Sequence, residues 1–108
     1  MTTSLTELAA TLVAEAQGSR SGRAARTVYG GHEHMLRQTV IALADGHALA
    51  EHESPGEATV QVLVGAVRLT SGAQSWEGGV GDLLVIPPSR HALAALADSA
   101  VLLTVRVA

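Results

Sequence analysis

The sequence predicts an all-β domain, a sandwich or barrel of eight or nine short strands behind a short N-terminal α-helix. Three observations carry this reading. From Thr27 to Val107 the chain runs through short β-branched and aliphatic stretches, parted at even intervals by Gly, Pro, Asp and Ser. No helical period interrupts those stretches, which excludes a parallel α/β sheet. Only residues 4–17 repeat apolar side chains at helical spacing.

In that first segment Leu5, Leu8, Ala9, Leu12, Val13 and Ala16 share one helical face. Ser4 and Glu7, three positions apart, form a capping box, and Gly18 ends the helix. The stripe is narrow and rich in alanine, so its burial needs a barrel wall or a partner chain. Gly18 to Arg23 reads as a polar linker, and with Arg26 its arginines make only a weak basic cluster. Residues 1–26 are therefore expected to be helix and linker, and 27–108 the barrel.

Leu36 to Leu43 reads as a strand, and Asp45-Gly46 is a strong two-residue hairpin signal with His47 to His52 as the return strand. Pro55-Gly56 breaks the pairing. Ala58 to Val64 and Ala66 to Thr70 follow, joined at Gly65. Ser71-Gly72 is a second hairpin candidate, leading into Ala73 to Glu77. Gly78 to Gly81 reads as a loop, and Leu83 to Ile86 runs up to Pro87-Pro88. His91 to Ala97 and Val101 to Val107 supply the last strands.

Composition bounds the function. A chain of 108 residues buries roughly 60–70% of its unfolded surface, enough for one modest core. Cysteine is absent, which excludes a disulfide scaffold, thiolate metal sites and thiol catalysis, and agrees with a cytoplasmic location. No positive segment leads into an apolar run at the N-terminus, so no secretory signal is expected. No apolar stretch is long enough for a membrane helix. A formal charge of −3 with scattered arginines speaks against broad nucleic-acid binding. Phenylalanine is also absent, so Tyr29 and Trp76 are the aromatics and any pocket wall is mostly aliphatic.

Two segments carry chemistry. One runs from Gly46 through His52, Ser54 and Glu57 to Gly65; the other is Gly81-Asp82-Leu83-Leu84-Val85-Ile86-Pro87-Pro88-Ser89-Arg90-His91. Together they resemble the two motifs of the cupin family, over roughly residues 36 to 107. The resemblance implies a jelly-roll, or double-stranded β-helix, barrel. It also implies a metal site built from two histidines of the first motif, a glutamate and a histidine of the second. Gly46 and His52 match the first motif, while Ser54 stands where the second histidine belongs. The glutamate position falls on Ala58, with Glu57 one residue away. Gly81 and Pro87 match the second motif, Ser89 replaces its glycine, and His91 stands for its histidine. The asparagine position is lost among Leu93 to Ala95.

Two of four implied ligands therefore remain. Non-haem iron needs two histidines and a carboxylate, and catalytic zinc three protein ligands, so His52 and His91 alone fall short. Glu57 could complete a set if the Pro55-Gly56 turn shifts its register, although strict alternation points it away from His52. His34 is the other recruit, because extending the Asp45-Gly46 hairpin sets it opposite Glu57. His47 lies five residues from His52 and faces away without a bulge. His32-x-His34 has metal-pair spacing but follows Gly30-Gly31. Arg37, Gln38 and Gln61 read as outward or interface residues, Trp76 as core or dimer packing, Arg90 as solvent-exposed and Asp82 as a turn residue.

The leading expectation is a cupin-type barrel binding a small molecule of unknown identity, with a partly degenerate metal site at His52, His91, Glu57 and His34. A divalent Zn, Ni, Mn or Fe ion and a metal-free pocket both stay open as its cofactor state. The alternatives are a metal-dependent enzyme of dioxygenase or isomerase type, and a structural or interaction module without ligand. Neither nucleic acid nor membrane is an expected partner. The family resemblance and the unshielded strand edges imply a homodimer.

Overall fold

The structure is a computed structural model that describes residues 1–54 and 56–107. Helix α1 (Leu5–Gln17) precedes nine strands: β1 (Arg23–Tyr29), β2 (Leu36–Leu43), β3 (Ala48–His52), β4 (Gly56–Val64), β5 (Ala66–Ser71), β6 (Gln74–Gly79), β7 (Leu83–Val85), β8 (His91–Ala95) and β9 (Ser99–Val107). They form two antiparallel sheets, one ordered β1-β2-β9-β4-β7 and the other β3-β8-β5-β6. This is the jelly-roll barrel with a short N-terminal helix. No helix is long and apolar enough to cross a membrane among the described residues.

The core lies between the sheets, where alternation turns Leu43, Val60, Val62, Val67, Leu69, Leu93 and Val101 inward. The helix makes a second layer. Ser4 accepts the Glu7 N–H at 3.2 Å, as the capping box requires. Leu8, Ala9, Leu12 and Ala16 then pack on Val40, Ala42, Ala100 and Leu102, on the outer face of the first sheet. The helix is thus buried by its own barrel wall. Alanines on both sides of this contact let helix and sheet approach closely.

Pairing departs from the sequence reading in one place. Asp45-Gly46 does turn the chain, with Gly46 at φ 80° and the His47 N–H donating to the Ala44 carbonyl. It does not make a hairpin. Both edges of β2 are already occupied, by β1 and β9, so the chain crosses to the other sheet and β3 pairs with β8. The hairpin register that would face His34 with Glu57 therefore does not exist. A hairpin does form beside Ser71-Gly72, with Ser71 opposite Gln74 and Gly72-Ala73 as its two-residue loop, one position on from the expected tip.

Smaller differences follow the same logic. β1 begins at Arg23, inside the segment read as linker, because Arg23 to Thr27 pair with Leu43 to Thr39. β6 continues through Gly78 and Gly79, which pair with Val67 and Ala66. Pro55 lies outside the described residues, and Gly56 opens β4.

Strand directions sort the connections into two ends. One end collects residues 30–35, 53–54, 72–73 and 86–90; the other collects 18–22, 44–47, 65, 80–82 and 96–98. The second end is tied down. Gly65, at φ 77°, turns the chain from one sheet to the other against the Asp98 carbonyl and Ser99 Oγ. Ser99, itself buried, accepts the Ala66 N–H at 3.1 Å and lies 2.9 Å from the Ala66 carbonyl and 2.7 Å from that of Ala97. Asp98 accepts the Asp45 N–H at 2.8 Å and the Gln17 amide at 2.7 Å. These bonds, the Asp45 one foremost, hold its carboxyl below the usual carboxylate range.

Candidate functional site

The open end holds the two motif histidines. His52 ends β3 and His91 opens β8, and they are direct cross-strand partners. Their rings meet edge to face, with centroids 4.5 Å apart and planes 61° from parallel. His91 is 5% exposed, whereas His52 is solvent-facing on one side, so the pair spans the passage from the interior to water.

A β-bulge makes this possible. Leu49 pairs with Leu93 and His52 with His91, three residues of β3 spanning two of β8. Strict alternation would turn Leu49 and His52 to opposite faces; the bulge at Ala50 and Glu51 resets the parity so that both face inward. The sequence carries the signal only as an odd spacing between two residues that must share a face. His47 stays at the other end despite the bulge, its ring lying where a side chain on Gly22 would stand.

Two backbone carbonyls fix the chemistry of the rings. His52 Nδ1 donates to the Ala50 carbonyl at 3.0 Å, and His91 Nδ1 donates to the Ser89 carbonyl at 2.9 Å. A carbonyl only accepts, so in the neutral ring Nδ1 carries the proton and Nε2 presents a lone pair. Ser89 is steadied in turn, its hydroxyl 2.7 Å from that of Ser71, which donates to the Arg90 carbonyl at 2.8 Å. Neither Nε2 has a protein hydrogen-bond partner among the described residues, and neither is a buried atom left unsatisfied.

Both histidines line a cavity of about 50 Å³. The other lining residues are Ile41, Leu49, Val60, Leu69, Ile86, Leu93, Val101 and Leu103, all aliphatic. Charge stays outside. Arg90 points away from the cavity to Glu51 at 3.1 Å and Glu53 at 3.5 Å, and the hydrogen bond to Glu51 holds its guanidinium above its ordinary value. Arg37 falls on the opposite strand face from Gln38, and both are half-buried. The Arg37 Nε donates to the His34 carbonyl at 3.4 Å.

The two recruits do not reach the pair. Glu57 stands opposite Arg106 on the exposed outer face, while its neighbour Ala58 turns inward opposite Val105. No shift of register occurs there, so alternation decides. His34 sits in the 31–34 turn, its N–H donating to the Gly31 carbonyl and its ring edge-on to Tyr29 at 5.2 Å. Among the described residues no three or more of His, Cys, Asp and Glu gather as a metal ion requires. A resident divalent ion does not fit this donor set: two imidazoles remain, and the neighbouring positions offer only aliphatic groups.

No family model matches the chain, and no curated protein matches it in sequence. Solved structures do. A conserved protein of unknown function from Streptococcus pyogenes is 28% identical, with a TM-score of 0.74 over 83% of this chain and 78% of that one. A cupin superfamily protein from Desulfitobacterium hafniense is 20% identical, with a TM-score of 0.73 over 80% of this chain and 78% of that one. A salicylate 1,2-dioxygenase from Pseudaminobacter salicylatoxidans is 20% identical, with a TM-score of 0.75; the match covers 93% of this chain but 33% of the dioxygenase.

Proposed function

We propose, from the premise that this chain is a cupin by fold, that it is a small-molecule-binding barrel whose site is the His52–His91 end of the cavity. The observation that carries the reading is the pair of Nε2 lone pairs, fixed by two carbonyls and left without a protein partner. A structural role needs no such arrangement, because a ring kept for packing alone gains nothing from an unpaired acceptor. Fold alone does not choose the chemistry, since its neighbours range from a dioxygenase to a protein of unknown function.

Native mass spectrometry of untagged protein, together with elemental analysis, tests the reading. A co-purified organic mass that disappears in His52→Ala, without stoichiometric metal, supports it. One equivalent of metal per chain transfers the site to the metal-enzyme reading. A bare mass, with no ligand recovered from a broad small-molecule screen, leaves a structural module.

A further inference from the structure

We infer that the ligand of this pocket is a small, uncharged molecule that donates two hydrogen bonds, of the primary amide or glycol type. The inference rests on the small-molecule reading above and narrows it. Its ground is that both polar groups of the cavity are acceptors. His52 and His91 spend their Nδ1 protons on the Ala50 and Ser89 carbonyls, so each offers the ligand a lone pair.

Charge complementarity removes the ionic classes. A carboxylate would bring acceptor oxygens against two acceptor nitrogens. It would also lose its hydration to an aliphatic wall that includes Leu49, Leu69 and Leu93. No arginine lines the cavity to rescue it, and Arg90 is bonded to Glu51 and Glu53. An ammonium ion would donate to both rings, yet no carboxylate lines the cavity to neutralise it. A neutral amide or glycol loses less hydration on entering than either ion does, and it can donate to both nitrogens of two rings whose centroids are 4.5 Å apart. Size narrows the class further. A cavity of about 150 Å³ accepts benzene, so one of about 50 Å³ holds only a few heavy atoms, with anything larger extending out past exposed His52.

The test uses four probes of matched size on the full chain at about pH 8: acetamide, ethylene glycol, acetate and ethylammonium. Binding is read from the imidazole ¹⁵N shifts of His52 and His91 and from the backbone amides of Leu49 and Leu93. Acetamide and glycol are expected to saturate in the millimolar range, with the two ions at least about tenfold weaker. His52→Ala should weaken acetamide about tenfold. Because His91 is buried, His91→Gln, which keeps a polar side chain, accompanies it as the check against misfolding. Acetate or ethylammonium binding as tightly as acetamide overturns the class and leaves the pocket reading standing. No response to any probe also overturns the class, and the pocket reading then stands or falls on the co-purified mass.

Discussion

His52 and His91 face each other across β3 and β8 as direct register partners, with rings 4.5 Å apart and each Nδ1 bonded to the carbonyl two residues before it. Such a backbone bond is the usual support of a metal-ligating imidazole. Here the support survives, while the remaining ligands implied by the cupin resemblance are Ser54 and Ala58.

Restoring those two positions should restore an ion. The wild type is expected to take up less than stoichiometric Mn²⁺ or Ni²⁺. The Ser54→His, Ala58→Glu double variant should bind one equivalent. At a metal concentration of about 100 Kd its stability should rise by about 2.7 kcal/mol. Elemental analysis and melting with and without metal check this, and a variant that gains nothing shows that the barrel no longer holds the four positions in ligating geometry.

Gly65→Ala should be strongly destabilising. The residue sits at φ 77°, and an added Cβ would run into the Asp98 carbonyl and Ser99 Oγ. Left-handed strain and a backbone clash together should cost about 3 kcal/mol or more, a fall in Tm on the order of 10 °C or more for a domain of this size. Thermal unfolding followed by circular dichroism measures it. A fall of under about 2 °C would contradict the tight corner.

Acid should loosen the same end. Asp98 has its carboxyl lowered by the Asp45 N–H and the Gln17 amide, so it stabilises the fold above the ordinary carboxylate range. That contribution is lost as pH falls through the lowered folded-state value. Asp98→Ala should therefore lie below wild type in Tm at neutral pH and converge with it in acid. A gap of constant size across the pH range would show that the two hydrogen bonds do not depend on the charge.

A homodimer is proposed through the β7 edge. Leu83 and Val85 are 62% and 73% exposed on the outer strand of their sheet, and Trp76, on the facing edge strand β6, is 41% exposed. An open apolar edge calls for cover. Light scattering should give twice 11.0 kDa, and Val85→Lys should shift the protein toward monomer. A wild-type mass of 11.0 kDa at high concentration would refute the association.

What the sequence disclosed was local. The β2 bounds, the Ser4–Glu7 cap and the Ser71-Gly72 hairpin all rest on near neighbours; the first two are in the structure as read, and the hairpin loop lies one residue further on, at Gly72-Ala73. Partner choice was hidden, because an Asp-Gly turn looks the same whether its strands pair or part. Only the competition of β1 and β9 for the edges of β2 separates the two outcomes. The site was half legible for the same reason. The histidines could be named from the motifs, and alternation alone turned Glu57 outward. The bulge that turns His52 inward with Leu49 is a property of β3 against β8, and no single strand shows it.

The strands between the two ends have a consequence for how this protein can change. β9 alone carries the chain from Ser99 at the tied corner to Val107 beside the open mouth, roughly 26–27 Å at the usual rise per residue. Substitutions that far apart contribute to stability nearly independently. Loops 53–54 and 86–90 can therefore be rewritten for a new ligand while the Gly65–Ser99 corner keeps the barrel closed. Selection, or a designer, can alter recognition at one end of this barrel without first finding compensating changes at the other.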